Sequence, residues 1–211
     1  GRTVPDLSLN AIENLGYADV KFLKPVFVGD TVQSTSKIVG LKENSNGKTG
    51  TVYVFSEGKN QQGELVLSYY RWLMMRKKDF NTHLDEKTIP KMPVMVEKKN
   101  MYLDDMITFN HWDPMITGCK NFFEDYEVGE EIHHLDGQTI EEAEHQMATR
   151  LYQNNARVHF NQHIEKDGRF GKRIIYGGYI ISVARSISCN GLANAFKIAA
   201  IHYGKHSAPT F

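Results

Sequence analysis

The chain has 211 residues, 41% hydrophobic and 24% charged, which is enough to bury a core and fits one large domain or two small ones. Its 25 basic and 25 acidic side chains cancel, which excludes a whole-molecule attraction to nucleic acid or anionic membrane and leaves phosphate binding to local clusters. Cys119 and Cys189 are far apart without a disulfide pattern, no apolar run reaches the roughly 18 residues of a spanning helix, and the first residues lack a signal-like apolar stretch. A cytoplasmic protein with reduced thiols is expected.

In chain order, Thr3 to Gly16 reads as a short helix or irregular segment, with Pro5 near its first turn and Gly16 at its end. Four segments rich in β-branched and aromatic residues follow at 18–23, 31–42, 48–58 and 65–77. The turn signals between them, Val28-Gly29-Asp30, Asn44-Ser45-Asn46-Gly47 and Asn60-Gln61-Gln62-Gly63, predict an antiparallel meander. Residues 79–120 show no sustained period and hold three of the six prolines, so they read as a long linker. Its Met101, Met106, Phe109 and Trp112 predict that it is tied to a surface, because loose segments are poor in aromatics. Thr139-Ile140-Glu141-Glu142 has the form of a capping box, opening a helix with Ile140, Ala143, Met147 and Leu151 on its apolar face. A second helix, from about Gly178 to Cys189, is apolar on a wide face. Residues 197–205 return to strand-like sequence.

Asn194 to Phe211 aligns without gaps on Asn10 to Phe27, sharing Asn, Ala, Lys, Pro and Phe at a helix-to-strand exit. The offset predicts the back half of one repeat at 1–78, a linker at 79–120 and the front half of a second repeat at 121–211. The halves are expected to complement each other, with 31–77 packing on the helix at 178–189, either within one chain or between the chains of a dimer.

Candidate chemistry converges on Thr149 to Ser182. Gly177 and Gly178 open the second helix, where the first N–H groups have no intrahelical partner and the macrodipole is positive, so they are suited to polarising a carbonyl oxygen. His159 suits proton transfer near neutrality, and Asn154 five residues earlier can hold a water or hydroxyl. The competing reading is a polar loop whose imidazole satisfies backbone groups. Arg169, Lys172 and Arg173 lie in a glycine-containing loop and either meet phosphates or stay solvated. His159 and His163 stand i, i+4, but the glutamate of a zinc-protease motif is missing, and metal binding is not expected.

The wording TRLYQNNARVHFN, then GRFGKRIIYGG and SISCNGLANAFKIAAI, with GLKENSNGKTGTVYVFSEGKNQQGELVLSYYRWLMMRK upstream, resembles the MaoC-like hydratases and dehydratases. It is most similar to their mesaconyl-CoA hydratase (β-methylmalyl-CoA dehydratase) branch, over most of 1–78 and 121–211. The resemblance implies an α+β hot-dog fold, an antiparallel sheet wrapped around a long central helix, in two tandem units. It also implies an acyl-CoA thioester substrate, hydro-lyase chemistry with no metal or redox cofactor, and a homodimer or higher homo-oligomer. Carried over residue by residue, His159 moves the proton and Gly178 is the thioester-binding glycine; Gly177, Tyr179, Arg169, Lys172 and Arg173 are candidate contacts to the substrate and its coenzyme A phosphates. The family commonly has aspartate where Asn154 stands and often histidine where Tyr179 stands. A carboxylate from elsewhere, Glu165 or Asp167 being nearest in sequence, either completes the pair with His159 or plays no part. An enoyl-CoA hydratase of other acyl specificity and a non-catalytic acyl-CoA-binding protein remain the alternatives.

Overall fold

The computed structural model describes residues 5–84, 87–101, 108, 110–195 and 200–203. After helix α1 (Pro5–Asn10) come strands β1 (Ala11–Phe22), β2 (Gln33–Glu43), β3 (Thr49–Lys59) and β4 (Leu65–Arg76). Helices α2 (Pro114–Thr117), α3 (Glu142–Leu151), α4 (Gln162–Glu165) and α5 (Gly177–Ile187) follow, and strand β5 (Ala200–Tyr203) closes the series. None of these helices is long and apolar enough to cross a membrane, among the described residues.

The five strands form one antiparallel sheet in the order β2-β3-β4-β1-β5. The meander forms through the predicted turns, and Gly47 and Gly63 take positive φ (63° and 81°), which glycine adopts without Cβ strain. Alternation along β4 divides its side chains between two faces. Tyr69, Arg71 and Leu73 stand on one, opposite Ser56, Val54 and Val52 of β3; Tyr70 and Trp72 stand on the other, opposite Phe55 and Tyr53. The second face is aromatic, with Tyr53 on Trp72 (6.4 Å between centroids) and Phe55 on Tyr70 (4.8 Å).

The N-terminal expectation needs correction. The helix ends at Asn10, and Gly16 lies in the middle of β1. Its glycine is required there because the Trp72 indole of β4 lies where a Cβ would project. The linker is tied down as expected: Thr88 bridges to Leu41, Thr88 and Pro90 crowd Gly40, and Val96 is buried. Met106 and Phe109 lie outside the described residues, as do 196–199 and 204–211 of the predicted repeat. What is described of that repeat is β5. The internal alignment places Ala200 on Gly16 and Tyr203 on Asp19, and β5 pairs antiparallel with β1 through Tyr17 and Tyr203, Val20 and Ile201, Lys21 and Ala200. β5 thus lies at the edge of the sheet against β1.

Two helix expectations also change. Helix α3 starts at Glu142 with Glu141 as N-cap and no side-chain cap bond, so the capping box does not form. Its buried side chains are His145 and Thr149, both 0% exposed, whereas Met147 and Leu151 face outward. Helix α5 packs against α3; Tyr179 is its buried residue, and Ile181 is exposed. Val183 and Ile187 of α5, expected to meet residues 31–77, are half-buried. The sheet meets the segment just before α5, around Tyr176.

Candidate active site

The segment Ile174–Tyr176 is held from three directions. The Ile174 N–H donates to the Val158 carbonyl (3.0 Å), the His159 ring bonds the Ile174 carbonyl through Nδ1 (2.9 Å), and the Tyr176 N–H donates to Nε2 of His145 (2.8 Å). Ile174 and Ile175 are buried, so these bonds satisfy backbone groups with little access to water. Two histidines from different elements thereby fix the entry into α5.

Each bond also settles a tautomer. A carbonyl oxygen can only accept, so Nδ1 of neutral His159 carries the proton and Nε2 keeps its lone pair. A backbone N–H can only donate, so Nε2 of His145 is unprotonated. Burial pushes the His159 imidazole down to about 4, the Ile174 bond opposes that shift, and the His145 charge adds to it. His145 is also lowered, by burial first and then by Arg173. Both rings are neutral at physiological pH. His159 is 8% exposed, part of the protein interior. Its own carbonyl accepts from Gln146 Nε2 (2.8 Å), and its ring meets those of Tyr176 (5.6 Å) and His145 (6.1 Å) edge-on. An imidazole so fixed, neutral and with a free lone pair, is a base held in one orientation.

Gly177 and Gly178 occupy the first two positions of α5 after the N-cap Tyr176. The first N–H turned back into the helix is that of Tyr179, to the Tyr176 carbonyl (2.9 Å), so the two glycine amides head the helix where no preceding turn supplies acceptors. Gly178 has a second reason to be glycine. An added Cβ would stand 2.5 Å from Cζ and 2.6 Å from the hydroxyl oxygen of Tyr176. The phenol therefore lies over Gly178 and beside His159, linking the predicted amide donors to the predicted base. Burial raises its pKa to about 12, with the Tyr17 phenol adding to the effect and Arg71 opposing it, so it remains a proton donor.

The other sequence candidates are distributed around this centre. Asn154 caps its own turn, its Oδ1 accepting from the Ala156 N–H (3.0 Å). Tyr179 points toward α3, its hydroxyl donating to Glu144 Oε2 (3.3 Å) and its ring packing on His145 (5.7 Å). Arg173 is ion-paired with Glu142 (2.8 Å), while Arg169 lies 3.7 Å from Glu13 of β1 and stacks on Phe170. Lys172 is exposed. Glu165 turns over Gly168, and Asp167 is exposed; none of the groups that shift His159 is a carboxylate, among the described residues. His163 is exposed on α4, whereas His159 ends a separate 3₁₀ turn, Arg157–His159, so the two do not share a helix face.

His145, Tyr176, Tyr17 and Arg71 were missed. Apart from position, His145 has one sequence signal, its i, i+4 spacing with Thr149, which is the true buried stripe of α3. Tyr17 and Arg71 lie 159 and 105 residues before Tyr176 and are brought to it by the sheet.

The antiparallel sheet with helices beside it is consistent with an α+β hot-dog fold, and comparison with known proteins agrees on the fold. By sequence and by fold the chain is similar to the MaoC-like hot-dog dehydratases. It is 54% identical over its whole length to a β-methylmalyl-CoA dehydratase of Chloroflexus aurantiacus and 50% identical to a mesaconyl-CoA hydratase of Cereibacter sphaeroides. It covers 60% and 61% of those two proteins, so it spans about three fifths of the curated relatives it matches. A crystal structure assigned as a MaoC domain protein dehydratase from C. aurantiacus superposes on all of this chain, and on 60% of its own, with a TM-score of 0.93 at 54% identity. A Mycobacterium tuberculosis protein with a double hot-dog fold shares the fold alone, at 21% identity and a TM-score of 0.59 over 96% of this chain. No protein-family model matches.

Proposed function

We propose that the protein is an acyl-CoA hydro-lyase that interconverts β-methylmalyl-CoA and mesaconyl-CoA (2-methylfumaryl-CoA). The state of His159 carries this reading: a neutral imidazole with Nδ1 committed to the Ile174 carbonyl and Nε2 open, one tyrosine ring away from the Gly178 amide. In the dehydration direction Nε2 removes the proton from the carbon next to the thioester carbonyl. Negative charge develops on the carbonyl oxygen, where the Gly177 and Gly178 amides and the positive end of α5 stabilise it. The hydroxyl on the following carbon departs, takes the proton back from the imidazolium and leaves as water, so the histidine is restored. The Asn154 amide nitrogen holds that hydroxyl or water. The names of the two curated relatives support the choice of acyl group.

The same proposal includes a cytoplasmic location, a homodimer or larger homo-oligomer, and coenzyme A as part of the substrate with no separate cofactor. Addition of mesaconyl-CoA to the purified protein is expected to bleach the absorbance of the conjugated thioester as water adds across the double bond. Unchanged absorbance with the wild-type protein would contradict the reaction.

A further inference from the structure

Arg71 of β4 is a cation without an anion. It stands opposite Tyr17 of β1 and beside Val54 of β3, and it hydrogen-bonds the Tyr17 phenol. Its Nη2 is buried with no hydrogen-bond partner, and no carboxylate lies within ion-pair distance of it, among the described residues. Buried charges are ordinarily paired, because an unpaired one keeps the full cost of its lost hydration. The guanidinium is also placed toward the site. Its charge reaches the Tyr176 phenol, which in turn lies over Gly178 and beside His159. Tyr17 and Tyr69, 5.7 Å apart between centroids, complete a rim of phenols around it.

We infer that Arg71, with the phenols of Tyr17 and Tyr176, is the receptor for the free carboxylate of a dicarboxylic acyl thioester. The inference rests on the proposed placement of the thioester carbonyl at Gly178. A carboxylate on a four-carbon acyl chain lies three bonds beyond that carbonyl carbon, on the side of Tyr176 away from the helix amides. A guanidinium fork matches a carboxylate with two parallel hydrogen bonds, and the orphaned Nη2 supplies one of them. A methyl-terminated acyl chain leaves that N–H buried and unpaired, so the site selects against it. The phosphates of coenzyme A are a poorer fit for the same cation, since they sit at the far end of the pantetheine arm, away from the reacting carbons.

The test compares equilibrium binding of succinyl-CoA and butyryl-CoA, which differ in the terminal carboxylate and need no turnover. The wild-type protein is expected to bind succinyl-CoA roughly 10- to 100-fold more tightly, the range for hydrogen bonds to a charged group. Arg71→Met, which replaces the half-buried cation with an apolar side chain of similar length, is expected to abolish the preference and leave butyryl-CoA affinity unchanged. Arg71→Gln serves as the second variant and is expected to lose the preference likewise. A preference that survives either substitution overturns the inference, as does its absence in the wild type. Equal weakening of both thioesters would mark a contact to the coenzyme A phosphates and overturn it too. Loss of fold in both variants would mark Arg71 as structural, with the same result. The hydration assay is read separately: a protein that prefers succinyl-CoA through Arg71 but does not hydrate mesaconyl-CoA keeps the carboxylate receptor and loses the proposed reaction.

Discussion

Nε2 of His145 lies 2.8 Å from the backbone nitrogen of Tyr176, so a fully buried side chain of α3 fixes the residue that caps α5. With His159 holding the Ile174 carbonyl, the two rings set the direction in which the Gly177 and Gly178 amides point. One histidine orients the helix entry while the other is left with an open lone pair for chemistry.

The different tasks of the two rings separate under mutation. His159→Asn keeps a donor for the Ile174 carbonyl but has no basic nitrogen, so turnover is expected to fall by a factor of about 10² or more, with about 1–2 kcal/mol of stability lost to the smaller side chain in a buried site. Steady-state kinetics and a thermal melt on the same preparation check this. Turnover near the wild-type value would remove His159 from the mechanism.

His145→Phe fills most of the volume but leaves the Tyr176 N–H without its acceptor. That is expected to cost about 1–3 kcal/mol of stability, measured by chemical denaturation. The acid limb should move slightly upward in pH, because His145 contributes to the lowering of the His159 pKa. A variant as stable as wild type would show that the bond does not hold the helix entry.

The pH dependence follows from burial of neutral His159. Its pKa is about 4 in the fold against 6.5 as an ordinary imidazole, so between those values the unfolded chain binds more protons than the folded one. Stability should therefore rise with pH across that window, by up to about 3 kcal/mol, with the contribution fully present above 6.5 and lost as pH falls to 4. The acid limb of kcat/KM should likewise fall near 4. Denaturation midpoints at pH 5 and 7 for the wild type and His159→Asn test the linkage. An equal pH slope in both proteins would assign it to other groups.

Gly178→Ala places a methyl group 2.5 Å from the Tyr176 ring, which must then swing off Gly178 and away from His159. A loss of about 1–3 kcal/mol of stability is expected, together with reduced turnover. In a Tyr176→Ala background the same substitution should cost much less, because the atoms it strikes are gone. A double-mutant cycle measures the coupling, and additive effects would mean that the phenol does not confine Gly178.

The meander was legible because local rules sufficed: β-branched and aromatic runs broken by Asn44–Gly47 and Asn60–Gly63 leave few ways to connect. That Gly177 and Gly178 head a helix was legible for a similar reason, since the glycine pair stands directly before an apolar run within one segment. Sequence periodicity failed on α3, where Met147 and Leu151 looked like the core face. Burial there was decided by hydrogen bonding, because His145 had a backbone N–H to satisfy on Tyr176, and the apolar stripe was turned outward. It failed on Gly16 because the reason for that glycine is the indole of Trp72, 56 residues further on, and no local pattern records a cross-strand contact. What the sequence determined by itself was the set of elements and the kind of chemistry they can support. Only the tertiary structure decided that Tyr17, Arg71, His145 and Tyr176 surround that chemistry, because sheet pairing joins residues by register and not by distance along the chain.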